Sequence, residues 1–136
     1  MRQLLMATIF GAVIACFGAV AAAADAPTLA SAPPVVVKTE PQAGTSDVSA
    51  SLTEIRVTFS KPMRDKSWSW VMVTPDAFPK MTGDPHFSAD MTTCVLPIAL
   101  APGKTYAIWI NATTGQNFQD ADGHKAVPYL LMFSTK

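Results

Sequence analysis

Residues 100–111 read L-A-P-G-K-T-Y-A-I-W-I-N, a tight turn running into a strand. Pro102-Gly103 is turn punctuation. Behind it, Tyr106, Ile108 and Ile110 alternate with Ala107, Trp109 and Asn111, the period of a β-strand with two unlike faces. A Tyr that opens such a strand straight after a turn predicts a ring buried between two antiparallel sheets. Its hydroxyl would return to nearby backbone. If Tyr106, Ile108 and Ile110 point inward, Trp109 points outward, because successive side chains alternate across a strand.

The rest of the chain repeats this pattern in short pieces. Val35 to Val37 begins a strand, with Pro41 to Gly44 as a loop that Ser46-Asp47 and Ser49 to Ser51 continue. Glu54 to Phe59 alternates, with Ile55, Val57 and Phe59 in and Glu54, Arg56 and Thr58 out. Pro62 closes that strand, having no N–H for a central ladder. Ser67 to Thr74 is the next strand, and Pro75 to Pro79 is a loop. Lys80 to Ser88 is weakly patterned and fits a short edge strand broken at Gly83-Asp84-Pro85. Thr92 to Leu96 is a strand, with Pro97 marking an edge position or the strand's end. Thr113 to Gly123 is a polar loop. Tyr129, Leu131 and Phe133 alternate with Leu130 and Met132 in the last strand. About seven short strands separated by turn signals, with no helix-length amphipathic pattern, imply an all-β chain. The fold expected is a single immunoglobulin-like antiparallel β-sandwich over residues 35–136, with Tyr106 as its tyrosine corner.

The first 24 residues stand apart. Arg2, the apolar run Leu4 to Val20 and Ala22-Ala23-Ala24 have the layout of an export signal cut before Asp25. A competing reading takes Val13-Ile14-Ala15-Cys16 as a lipoprotein cleavage box with Cys16 lipidated. The Ala-rich run after Cys16 is unlike a polar tether and favours the first reading. Residues 25–34, rich in Pro and Ala, read as an extended linker. No segment after the signal is long enough to span a bilayer as a helix. Without Cys16 only Cys94 remains, so no internal disulfide can form, and Thr92 to Leu96 presents that Cys as a small buried hydrophobe. The chain holds ten basic and ten acidic residues. With no basic cluster, nucleic acid is not expected as a partner. No polybasic or amphipathic helical stretch suits a membrane surface.

The region after the signal resembles the bacterial Ig-like domains first noted in S-layer proteins. The resemblance rests on Val36 to Lys38, Pro41 to Gly44 with Asp47-Val48, Ile55 with Val57-Thr58-Phe59-Ser60-Lys61-Pro62-Met63, Leu100-Ala101-Pro102-Gly103-Lys104-Thr105-Tyr106, Asp120 to Gly123, and Tyr129 with Phe133-Ser134-Thr135. It implies a non-catalytic extracellular module, a spacer or binding unit of the cell envelope. A second resemblance is to the periplasmic copper-resistance proteins, where Asp122-Gly123-His124 looks like their Asp-x-His ligand pair. Those proteins begin the mature chain with a chelating His, whereas the start expected here is Asp25-Ala26-Pro27.

Two candidate sites follow. Trp109 shares its outward parity with Leu130 and Met132, and the two strands that carry them are expected to be neighbours. The three would form an apolar patch of the kind that marks an interaction surface. Trp68 and Trp70 share a strand face with Met72, and either line the core or add to a binding surface. The second candidate is His86, Asp122 and His124, whose imidazoles and carboxylate suit copper or zinc. Two histidines without a cysteine pair fall short of the usual ligand count. Asp120 and Asp122 lack the other oxygen ligands of a calcium loop. Nothing resembles G-x-S-x-G or H-E-x-x-H, so no catalytic residue is assigned and no cofactor is expected. Asn111-Ala112-Thr113 matches a glycosylation acceptor, and is read here as a strand end. The reading is an exported, monomeric or weakly self-associating, non-enzymatic module, periplasmic or extracellular. It would contact a protein or glycan of the envelope through Trp109, Leu130 and Met132, with Trp68 and Trp70 as further candidates. The alternative is a metal carrier.

Overall fold

The computed structural model describes residues 18–21 and 25–136. The expected export signal, including Cys16, falls outside the described residues except for 18–21. Eight strands follow one another: β1 (Val36–Glu40), β2 (Glu54–Phe59), β3 (Trp70–Met72), β4 (Lys80–Met81), β5 (His86–Phe87), β6 (Thr93–Ala99), β7 (Thr105–Ile110) and β8 (Tyr129–Ser134). The Pro75–Ala77 segment forms a single 3-10 turn. The strands form two antiparallel sheets. One has five strands in the order β1-β2-β6-β4, with β5 also on β6; the other has three, β3-β7-β8. Among the described residues no helix is long and apolar enough to cross a membrane.

Period-two patterning builds the core between these layers. Ile55, Val57, Phe59, Cys94, Leu96 and Ile98 face inward from one sheet. Tyr106, Ile108, Ile110, Leu131 and Phe133 meet them from the other. Each fully buried Ile or Leu contributes roughly 2 kcal/mol of transfer free energy. The tyrosine corner forms as expected. The Tyr106 ring is buried and stacks on Phe133 with centroids 5.5 Å apart, and its hydroxyl oxygen accepts the Ala101 N–H at 2.7 Å. Gly103, at φ 64°, makes the turn before it. The buried Thr135 hydroxyl accepts the Lys104 N–H at 3.0 Å and donates to the Ala101 carbonyl at 2.6 Å, tying the turn to the residue just after β8.

Several local expectations are corrected by contacts distant in sequence. Of Ser67 to Thr74, only Trp70–Met72 is paired as strand, because the chain turns off into the Pro75–Ala77 3-10 turn while β7 runs on to Thr105. Strand β6 runs straight through Pro97, which lies inside the five-stranded sheet rather than at its edge. The reason is directional. The Ile98 N–H points toward β2, donating to the Thr53 carbonyl at 2.9 Å. The N–H that Pro97 lacks would therefore point the other way, since consecutive N–H groups alternate along a strand. On that side the neighbouring edge is interrupted between β4 and β5, and Gly83 sits against the Pro97 ring. There the Thr82 N–H donates to the Pro97 carbonyl at 3.1 Å, and only the return hydrogen bond is absent.

The segment 113–123 is not a simple polar loop. Phe118 within it is fully buried and joins the two layers, 5.0 Å from the Phe59 ring and 5.6 Å from Trp70. After β1 the chain crosses to the three-stranded sheet and runs along the free side of β8. There the Gly44 N–H donates to the Met132 carbonyl at 2.7 Å, and the Ser134 N–H to the Thr45 carbonyl at 2.8 Å. The Ala/Pro-rich arm before β1 is held too. The Lys61 ammonium donates to the Ala30 and Ala32 carbonyls at 3.0 and 2.9 Å, and the Val127 N–H donates to Pro34 at 2.9 Å.

Candidate functional site

The two outer faces of the sandwich differ in chemistry. The five-stranded sheet presents a ladder of charges, Lys38, Glu40, Glu54 and Arg56. Lys38–Glu40 is 2.7 Å, Arg56–Glu54 3.0 Å and Arg56–Glu40 3.4 Å. The three-stranded sheet presents none. Its register places Val71 opposite Trp109 and Trp109 opposite Leu130, with Ala107 opposite Met132. All five share the face turned away from the core. Trp109 is half-buried among them, while Leu130 and Met132 are 38% and 43% exposed. The indole lines a shallow cleft of about 220 Å³ with Ala112, Thr113 and Pro128. Trp109, Leu130 and Met132 are thus brought together on one surface.

Trp68 and Trp70 lie elsewhere. Both are half-buried and packed against the core. Trp70 meets Phe118 edge-on, and Trp68 tilts against Phe87 at 6.3 Å. They are not part of the Trp109 surface. Cys94 is buried and free. Burial pushes its thiol up to about 12, with the Trp70 indole pulling weakly the other way, so it is an inert packing group at neutral pH.

The expected trio of His86, Asp122 and His124 is not assembled. His86 is exposed on β5, opposite Val95 of β6, whereas Asp122 and His124 belong to the β7–β8 connection. What converges there instead is Asp120, Asp122 and His124. Asp120, expected as part of a polar loop and without the partners of a calcium ligand, is the centre of that cluster and is buried. Its Oδ1 accepts the N–H groups of Asp122 and His124 at 3.0 and 2.9 Å. Its Oδ2 accepts from the Lys61 ammonium and pairs with His124 Nδ1, both at 2.8 Å. Burial alone would raise its pKa. The hydrogen bonds from Lys61 and His124 outweigh that and hold the carboxyl well below the usual range. Both oxygens are engaged, and an ammonium already supplies the positive charge. The arrangement reads as a structural tie between Lys61 just after β2, the N-terminal arm and the β7–β8 connection.

Asn111 was also missed. It is fully buried at φ 57°. Its amide donates to the Phe118 and Ala126 carbonyls at 2.9 and 3.0 Å, and its oxygen accepts the Phe118 N–H at 3.0 Å. The same burial removes it as a glycosylation acceptor. The available signal was an Asn directly after a strand, a residue type enriched at positive φ.

Sheet order, the tyrosine corner and the two-layer core define an immunoglobulin-like sandwich module. More particularly, residues 30–135 match the model of the bacterial Ig-like domain, and the chain belongs to that family. Among solved structures it is similar to the S-layer protein rSbsC (31–844), with 21% identity and a TM-score of 0.49. It is also similar to domains 1–6 of surface layer protein SbsC, with 18% identity and a TM-score of 0.44. Each match covers 79% of this chain and only 14% of the S-layer chain. No curated protein matches the sequence.

Proposed function

We propose that this chain is an exported, non-catalytic module of the bacterial cell envelope that docks onto an envelope protein or glycan through the outer face of β3, β7 and β8. The observation that carries the reading is the contrast between the two outer faces. One is a solvated charge ladder. The other, built on three strands, gathers Trp109, Leu130, Met132 and Val71 without a charge. A half-buried indole beside exposed aliphatic side chains has the composition of a recognition surface, where Trp is the residue type most enriched among strong contacts. Membership in the bacterial Ig-like family and the signal-like start of the sequence favour a place in the envelope, either periplasmic or extracellular.

The test is retention of the purified protein on cell-envelope fractions. Trp109→Ala and Met132→Lys are each expected to lower retention about tenfold, the effect of losing a central contact. Arg56→Ala, on the opposite face, is expected to leave it unchanged. Equal retention by all three variants overturns the reading. So does global unfolding of Trp109→Ala, which would make the indole a core residue.

A further inference from the structure

Of the sheet edges among the described residues, three are blocked by recognisable devices. β1 carries a bulge between Val36 and Lys38 together with the Lys38–Glu40 pair. β4 and β5 are two residues each, separated by a break at Gly83-Asp84-Pro85. The free side of β8 is taken by Gly44 to Val48. Bulges, charges, short strands and covering segments are the usual protections of an exposed edge.

The fourth edge, β3, has no such cover. From Ser67 to Thr74 the chain carries neither a charge nor a proline. Ser69 accepts the Asn111 N–H, so Ser69 and Val71 turn their main-chain groups toward β7. By alternation, the N–H and C=O groups of Trp70 and Met72 point away from the sheet. They have no hydrogen-bond partner among the described residues. Beside them runs a groove of about 490 Å³, floored by Trp68 and Trp70 and faced by Met81 and Pro85. Met72 has the parity of the core, opposite Ile108 and Leu131, yet it is 57% exposed.

From this edge we infer that two copies of the chain associate through their β3 strands, antiparallel about a two-fold axis at Val71. That axis pairs Trp70 of each copy with Met72 of the other. These are the residues whose main-chain groups are free, so each pair exchanges two hydrogen bonds. The same register carries each exposed Met72 side chain into the groove of the other copy, beside Trp70. A flexible thioether against an indole is a favourable contact. Knob and hole lie two residues apart on one strand, so a single two-fold axis satisfies both and the assembly closes. The pairing joins the two three-stranded sheets into one and leaves Trp109 outside the contact. It goes beyond the envelope-docking reading and does not depend on it.

Sedimentation velocity of the purified protein, up to near-millimolar concentration, tests the pairing. A concentration-dependent dimer is expected. Met72→Lys is expected to weaken it about tenfold or more while the thermal midpoint of the monomer stays in place. In an antiparallel pair the residues on the axis, not hydrogen-bonded to each other, have Cα atoms about 4.5 Å apart. Val71→Cys is therefore expected to form an intermolecular disulfide under mild oxidation far faster than Met132→Cys. Trp109→Ala is expected to leave the dimer intact, which separates this inference from envelope docking. A monomer at every concentration overturns it. A dimer indifferent to Met72→Lys, or equal cross-linking by the two cysteine variants, does so as well.

Discussion

Asn111 shows what one side chain can hold. It occupies a left-handed backbone position with no exposed surface, and its amide satisfies three main-chain groups of the connection that follows. Asn111→Ala leaves the Phe118 N–H and the Ala126 carbonyl without partners, while the Phe118 carbonyl keeps the Ala126 N–H at 2.9 Å. Each buried, unpaired group costs about 1–3 kcal/mol, and a non-glycine residue at positive φ adds about 1 kcal/mol or more. The expected loss in chemical denaturation is about 3 kcal/mol or more. Asn111→Gly, which relieves the backbone but not the hydrogen bonds, should lose somewhat less. Equal stability of Asn111→Ala and wild type would show that the connection is held by packing of Phe118 alone. Only the type of residue and its place after a strand were legible beforehand. Its partners lie 7 and 15 positions away, Phe118 in a segment that reads as polar loop and Ala126 just beyond it.

At the scale of the element, the alternation of β8 makes a sharp prediction. Leu130 and Leu131 are neighbours of identical chemistry on opposite faces. Leu131 is fully buried against the other sheet, and Leu130 sits beside Trp109 on the outer face. Leu131→Ala opens a cavity and should cost about 2–5 kcal/mol. Leu130→Ala should stay within about 0.5 kcal/mol of wild type. Thermal or urea denaturation of the pair measures the parity directly, and similar losses would mean that the outer face is covered. Such parity is legible from sequence, because strand geometry alone turns successive side chains apart. The limits of an element are less legible. The stretch around Trp70 looks like an eight-residue strand but pairs for three residues, and β6 continues through Pro97. Whether a residue counts as strand depends on the neighbour opposite it, and that neighbour comes from far along the chain.

At the scale of the molecule, Asp120 ties together parts that no single element connects. Its carboxylate holds the Lys61 ammonium, which in turn holds the carbonyls of Ala30 and Ala32 in the N-terminal arm. The folded-state pKa of Asp120 lies below its ordinary value of 3.8. The unfolded chain therefore takes up a proton there before the folded one does, and stability falls as pH drops. The contribution is fully present above about pH 5 and is lost progressively toward pH 2 and below. Thermal midpoints measured across that range should decline in the wild type and decline less steeply in Asp120→Asn. An equally steep decline in both would place the acid sensitivity in other carboxylates.

Layers and faces follow from local pattern: turn, alternation and tyrosine corner are read over a few residues, because strand geometry and turn chemistry act locally. Which strands became neighbours, why Pro97 lies inside a sheet, what Asn111, Phe118 and Asp120 hold, and which edge stays open emerge from the packed molecule. It also separated His86 from Asp122 and His124, and the Trp68–Trp70 pair from Trp109. Each of these depends on groups far apart in the chain meeting in space. Hydrogen-bond direction and burial at such meetings are set by the packing of the two sheets, and no local pattern carries that information.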